Sequence, residues 1–194
     1  MTLNPSLIKE AKRKLFHFLS LLYAAGYYFM GREAVLKILV PILVVEGAIE
    51  ATRLYVPRFN AWIMPLFGGI HREEEMRRVS GIFWTLLGSV ITISVFKDPK
   101  VVLCALGYLV FADAAAALVG VPLGRHKLWG KSWEGSSACF AASFLVGLAF
   151  MDPFWAVAGA AIVTAVELSP LPWNDNFWVP LVSAVFLSLL KNAF

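Results

Sequence analysis

Asp113 is the polar residue whose setting calls most strongly for a function: it stands in Phe111-Ala112-Asp113-Ala114-Ala115-Ala116-Ala117. Ionisable groups inside apolar runs of membrane proteins are costly and mark functional sites by default. The alanines around it let a helix or a ligand come close, but are too small to hide a charge by packing. The competing use is structural, a carboxyl bonded to a Ser or Arg of a neighbouring helix. A glycine-rich polar stretch follows, with Gly120, Gly124, Arg125, His126, Lys127, Gly130, Lys131, Ser132, Glu134, Gly135 and Ser136. Glycines expose backbone N–H groups, Lys supplies a point charge and Ser a hydroxyl donor, a combination suited to phosphate. Gly130-Lys131-Ser132 looks like the end of a Walker A loop. That motif needs Gly where Arg125 stands and a preceding strand, so it fails here. Phosphate binding in another geometry stays open, as does an ordinary basic turn.

Two further groups qualify. On a helix, Arg13 and His17 are four apart and Lys14 is three from His17, so the three converge on one face; Lys9 and Lys12 read as topology anchors. In Glu167-Leu-Ser-Pro-Leu-Pro-Trp-Asn174-Asp175-Asn176, carboxylates and amide oxygens flank a rigid turn. Such oxygens suit Mg²⁺, although Asp175 or Asn176 also serves as a helix cap. Glu46, Glu50 and Arg53 share a helical face, where an internal ion pair competes with catalysis.

These residues need elements to hold them, and composition says which. Of 194 residues, 59% are hydrophobic and 15% charged, and mean hydropathy is +0.72. A soluble domain carries about 25% charged residues, and disordered chains are poor in aromatics, whereas 14% here are Phe, Trp or Tyr. The expectation is an all-α, polytopic membrane bundle with roughly seven spans. The runs are 15–30, 34–55, 81–96, 101–120, 137–150, 154–168 and 176–190. An interfacial helix is expected in the polar connection 56–80. No internal repeat is evident, and 1–194 reads as a single domain. Cys104 and Cys139 lie in apolar runs and read as buried free thiols. Seven spans put 12 of the 17 Lys and Arg on one face and 5 on the other. By the positive-inside rule, the N-terminus and the loops holding Lys14, Arg72 and Lys131 are cytoplasmic. The net charge of +4 therefore reports topology rather than nucleic-acid binding.

Taken in order, Arg13-Lys14-x-x-His17, Arg72-x-x-Glu75 with Ser80-Gly81, Asp113-Ala-x-Ala-x-x-x-Gly120, Lys131-Ser132-x-Glu134-Gly135-Ser136, and Glu167 with Asp175-Asn176-x-x-Val179-Pro180-Leu181 resemble the CTP-dependent lipid-alcohol kinases. That family includes dolichol kinase, phytol and farnesol kinases, and the CTP-using diacylglycerol kinase. The resemblance spans nearly the whole chain, at the compact end of the family. It implies transfer of the γ-phosphate of CTP to a lipid hydroxyl with Mg²⁺. Asp113, Lys131, Glu134 and His17 become the catalytic candidates. Arg13, Lys14, Arg72, Gly120, Gly124, Lys131, Ser132 and Gly135 become the nucleotide-binding ones, and Asp113, Glu134, Asp175 and Asn176 the metal ligands. Asp113 serves either as a metal ligand or as the acceptor of the hydroxyl proton.

Two rivals stand beside this reading. A cytidylyltransferase uses the same nucleotide, but its long acidic and glycine-histidine signature is absent. A transporter also uses intramembrane acids, but the paired repeats common in transporters are not found. The start of the chain, close to its first apolar run and without a long Arg- and Ser-rich leader, suggests a prokaryotic cell membrane. The identity of the alcohol and the oligomeric state are left open.

Overall fold

Caps and prolines cut the chain into helices at places that ordinary helix chemistry explains. The computed structural model describes residues 12–15, 17–67 and 73–193. Residues 12–15 are helical, and after His17 a 3-10 turn, Phe18–Ser20, leads into α1, Leu21–Met30. Gly31 breaks the chain with φ +80°, a conformation that glycine adopts without penalty. α2, Arg32–Tyr55, starts at once, and α3, Pro57–Ile63, runs into a 3-10 turn, Met64–Phe67. A further 3-10 turn covers Glu73–Met76. The Ser80 hydroxyl caps α4, Gly81–Val95, by accepting the Phe83 N–H. Asp98 caps α5, Pro99–Leu123, by accepting the Lys100 N–H, and Pro99 takes the first turn, where a missing N–H costs nothing. Ser132 caps α6, Trp133–Phe150; α7 is Pro153–Leu168, and α8 is Asp175–Ala193.

Between α5 and α6 lies a minimal hairpin. β1, Lys127–Leu128, pairs antiparallel with β2, Lys131–Ser132, with Lys127 opposite Ser132. The two linking residues, Trp129 and Gly130, have φ of 46° and 83°, the positive values that a tight hairpin turn demands. Lys131 is thereby fixed at the mouth of α6.

α5 is the hub. Its Val101, Cys104, Ala105, Tyr108 and Ala112 are 0–1% exposed, as expected of a helix apolar on every side. One face joins Cys139 of α6, Val163 of α7 and Val179 and Ala184 of α8 in a core. Val102 and Leu106 join a second core with Tyr27 of α1, Val35 and Leu39 of α2, and Leu86 and Ile93 of α4. Both cysteines are free and buried. Many apolar side chains face outward, among them Phe29, Val44, Leu145, Phe154 and Leu189.

The fold is all-α apart from the hairpin, but the count of spans differs from seven. Among the described residues, α5 and α6 are long and apolar enough to cross a membrane, and α4 and α7 are apolar but shorter. The 15 residues of α4 rise about 22 Å, less than the roughly 30 Å hydrocarbon core. α2 has the length but carries Lys37, Glu46, Glu50 and Arg53. The expected first span passes through a 3-10 turn, Phe18–Ser20, before α1, and there the Ser20 hydroxyl donates back to the His17 carbonyl at 2.6 Å. α5 runs past Gly120 to Leu123 and α6 starts at Trp133 instead of Ser137, which shrinks the polar loop to the hairpin. α3 falls where the interfacial helix is expected, with Trp62 exposed and Ile63 buried.

Candidate active site

Two clusters of charge form where helix ends meet. The first surrounds Asp113. Lys14 is 1% exposed and its Nζ donates to Asp113 Oδ2. His17 Nε2 donates to the Leu109 carbonyl of α5 at 3.0 Å, which assigns the proton to that nitrogen. The same nitrogen lies 3.5 Å from Asp113 Oδ2. The helical spacing of Lys14 and His17 thus brings both against one carboxylate.

The second cluster surrounds Lys131, whose Nζ lies 2.8 Å from Glu167 Oε1 at the end of α7 and 3.2 Å from Asp175 Oδ2 at the start of α8. The Ser136 hydroxyl donates to Glu167 Oε2 at 3.4 Å. Burial alone would lower the Lys131 pKa, but Asp175 and Glu167 outweigh it, and the net shift is upward from 10.5. The ammonium is therefore charged at any physiological pH.

Both clusters open on one cavity of about 480 Å³, into which Asp113, Glu167 and Asp175 bring acid and Arg13, Lys127 and Lys131 bring base. Among the described residues, no three His, Cys, Asp or Glu gather closely enough to hold a metal ion. Mg²⁺ keeps waters and phosphate oxygens and asks for only one or two carboxylates. Asp175 and Glu167, or Asp113, fit that mode of binding.

A second cavity, about 270 Å³, lies alongside. Leu19, Tyr23 and Ile82 make it partly apolar, and Arg13, Lys14, His17, Glu75 and Asn176 supply a polar end. Arg13 lines both cavities. The Lys14–Asp113 pair joins them, since Lys14 lines the amphipathic cavity and Asp113 the charged one.

The glycines have a packing reason. A Cβ on Gly135 would meet the Ala116 carbonyl at 2.9 Å and Gly120 Cα at 3.1 Å; one on Gly124 would meet Ser132 Oγ at 2.6 Å. Ala116 and Gly120 of α5 and Gly124 just after its end form a small-residue face against which the start of α6 lies in near backbone contact. Gly120, Ser132 and Gly135 also line the charged cavity, and Gly124 packs behind it.

Glu134 and Asn176, two of the expected site residues, fall elsewhere. Glu134 turns away from the other carboxylates: its Oε1 lies 2.7 Å from His126 Nδ1, outside the residues that line the cavity. Asn176 lines the amphipathic cavity, apart from the charged one. Arg72 lies outside the described residues. Glu167, not Glu134, lines the charged cavity beside Lys131. A signal for this is present in the sequence, because Ala156, Gly159, Ala160, Val163 and Glu167 fall on one buried stripe of α7. On α6 the buried stripe is Gly135, Ser136, Cys139, Ser143 and Gly147, and Glu134 is off it. Of Glu46, Glu50 and Arg53, for which an internal ion pair competes with catalysis, Glu50 and Arg53 form such a pair. Arg53 binds Glu50 through Nε and Nη2 at 2.8 and 2.6 Å, and also donates to the Glu75 and Arg78 carbonyls. Glu50 Oε2 in turn accepts the Ser80 N–H at 2.9 Å, so this pair ties the 75–80 segment to α2.

Three relatives bear on identity. An uncharacterized protein of Rickettsia prowazekii is 30% identical over 184 residues, covering 89% of this chain and 90% of its own length. The CTP-dependent diacylglycerol kinase 1 of Saccharomyces cerevisiae is 24% identical over 220 residues, which is 95% of this chain and 74% of that protein. The phytol kinase of a Synechocystis species is 34% identical over 154 residues, covering 72% of this chain and 64% of that enzyme. The chain belongs to the CTP-dependent lipid kinase family. No family model and no solved structure matches it. In this CTP-dependent lipid kinase family member, the motif residues Arg13, Asp113, Gly120, Lys131, Ser132, Gly135, Glu167 and Asp175 all border the charged cavity.

Proposed function

We propose that the chain transfers the γ-phosphate of CTP to the hydroxyl of a lipid alcohol, the charged cavity holding the triphosphate and the amphipathic cavity the acceptor. The observation that carries this reading is the junction between the two, where Asp113 of one cavity is bonded to Lys14 of the other and lies 3.5 Å from His17. A hydroxyl entering beside Tyr23 and Ile82 meets the phosphate at that junction. Phosphoryl transfer needs positioning and charge neutralisation more than covalent help from the protein.

In the step, the acceptor oxygen forms a bond to the γ-phosphorus and the bond to the β-phosphate oxygen breaks. The hydroxyl proton passes to the Asp113 carboxylate, and CDP leaves with the electron pair. Lys131 and Arg13 neutralise phosphate oxygens, Lys14 orients Asp113, and Ser132 donates from the cap of α6. Asp175 and Glu167 would hold Mg²⁺ together with the nucleotide, and the ion would supply charge neutralisation on the triphosphate. The acceptor class, from diacylglycerol to phytol-like and polyprenyl alcohols, follows the relatives named for diacylglycerol and phytol.

The same reading makes 1–194 one membrane-embedded domain with its N-terminus cytoplasmic, in a prokaryotic cell membrane. The outward-facing apolar side chains support embedding, and short helices such as α4 and α7 are accommodated by local thinning of the bilayer. Arg13, Lys14, Lys127 and Lys131 at the site all lie on the face that the positive-inside rule makes cytoplasmic, where CTP is available.

The test offers purified protein diacylglycerol, phytol and a polyprenol with CTP labelled in the α- or γ-phosphate, and ATP in parallel. Label from the γ-position alone is expected in the lipid. Label from the α-position would make the protein a cytidylyltransferase, and no transfer to any alcohol would overturn the reading.

A further inference from the structure

The charged cavity continues away from Asp113 through two more. A small one, about 180 Å³, shares Lys131, Glu167 and Asp175 with it and reaches Trp173 and Asn174. A larger one, about 490 Å³, begins at Trp173 and Asn174 and is walled by Trp84, Glu75, Arg77 and Arg78. The linking residues, Trp173-Asn174-Asp175, are consecutive. The distance from the carboxylate that holds Lys131 to the aromatic wall is thus about 7 Å of chain, short enough for a ribose to bridge.

The wall is built, not incidental. Trp173 has φ +71°, an outlier for a bulky residue, and sits just after Pro170-Leu171-Pro172. Its ring stacks on Trp84 at 5.2 Å and 10° and on Trp178 at 5.6 Å and 6°. Trp178 Nε1 donates to the Pro172 carbonyl at 2.7 Å, which pins the turn. Trp173 nevertheless remains 65% exposed. Tryptophans that only anchor a protein at a bilayer surface face lipid; this one lines a cavity with a carboxylate, a carboxamide and two guanidinium groups.

We propose that the larger cavity is the nucleobase site, the stacked Trp84–Trp173 pair forming an aromatic wall against whose exposed surface a pyrimidine ring lies, with Glu75 and Asn174 reading its edge. This rests on the nucleotide reading of the charged cavity. Cytosine presents an exocyclic amine beside two acceptors. A carboxylate accepts from that amine, and an Asn NH₂ donates to an acceptor. Glu75 Oε1 takes the Gly81 N–H at 3.1 Å, which fixes the carboxylate at the wall of this cavity. Asn174 Oδ1 takes the Asn176 N–H at 2.9 Å, which leaves its NH₂ for the edge of the base. Uracil has a carbonyl in place of the amine and would oppose lone pairs to the Glu75 carboxylate. The site therefore selects CTP over UTP.

The experiment uses the full chain in detergent micelles with diacylglycerol, phytol and a polyprenol as acceptors and γ-labelled nucleotides. Base stacking on an aromatic is worth about 10- to 100-fold in affinity. Trp173→Ala should raise KM for CTP by about that factor with a far smaller fall in kcat, and leave inhibition by inorganic tripolyphosphate unchanged. Glu75→Gln should reduce the preference for CTP over UTP. Because either variant can fail to fold, 5-iodo-CTP is photo-crosslinked to the wild type, and adducts should map to Trp84 or Trp173. An unchanged KM in Trp173→Ala, or crosslinks confined to other residues, overturns the base site while the kinase reading stands. Wild type that transfers no label from CTP overturns both.

Discussion

Replacing Lys131 with alanine removes the cation between Glu167 and Asp175, 2.8 and 3.2 Å from them, and two separable losses follow. The first is stability. The Glu167 carboxylate, 8% exposed, keeps only the Ser136 hydroxyl at 3.4 Å, longer than a good O–H···O bond. Breaking a fully buried pair costs about 3–5 kcal/mol. Lys131 is 35% exposed, so water screens much of this, and the loss should be about 1–2 kcal/mol. The second is turnover. Removing one preorganised donor from a developing oxyanion costs about 10²–10³ in kcat. Assaying Lys131→Ala well below its melting transition separates the two, because the protein is then fully folded. The midpoint of thermal unfolding in detergent should fall only modestly while γ-phosphate transfer drops at least about 100-fold. Turnover within about tenfold of wild type under those conditions would refute the assignment, making Lys131 a counter-ion and nothing more.

Asp113→Asn should lower turnover by about 10²–10⁴, measured as γ-label in lipid; near-normal transfer would remove Asp113 from the reaction. Gly135→Ala forces a Cβ to 2.9 Å from the Ala116 carbonyl. It should cost about 1–3 kcal/mol by overpacking and reduce transfer, read from melting and activity of the same sample. Asp98 lies far along α5 from the site and caps that helix, so Asp98→Ala should cost about 1 kcal/mol and leave kcat unchanged. Burial raises the Asp98 pKa, but the Lys191 ammonium and the Lys100 N–H lower it more, to a net value below 3.8. Its stabilising contribution is thus complete above 3.8 and fades as pH falls below, so melting of Asp98→Ala and wild type should converge in acid. The Lys131 pKa moves upward; stabilisation from its pairs is present below 10.5 and should be lost only as pH rises beyond that.

The charged candidates could be found in the sequence because each breaks an otherwise apolar pattern. Asp113 interrupts a run of alanines, Lys14 and His17 share a helical face, and Lys131 stands beside a serine cap. Helical class followed from composition, since 59% hydrophobic residues at helical spacing leave little else. What composition cannot set is how far each helix runs. The first expected span passes through a 3-10 turn after His17, and α4 is about 22 Å long, because helix ends depend on which caps and partners compete locally. Nor does it decide which carboxylate turns toward Lys131. Glu134 and Glu167 are equally acidic, and local spacing offers only the hint that Glu167 shares a buried stripe. The choice depends on how α6 and α7 are rotated against α5, which is set by the near-contact of Gly120 with Gly135 and by the two-residue hairpin turn. The Glu50–Arg53 pair was undecidable for the same reason: its partners at Glu75, Arg78 and Ser80 lie 22 or more residues away, and only the folded chain brings their backbone groups within reach.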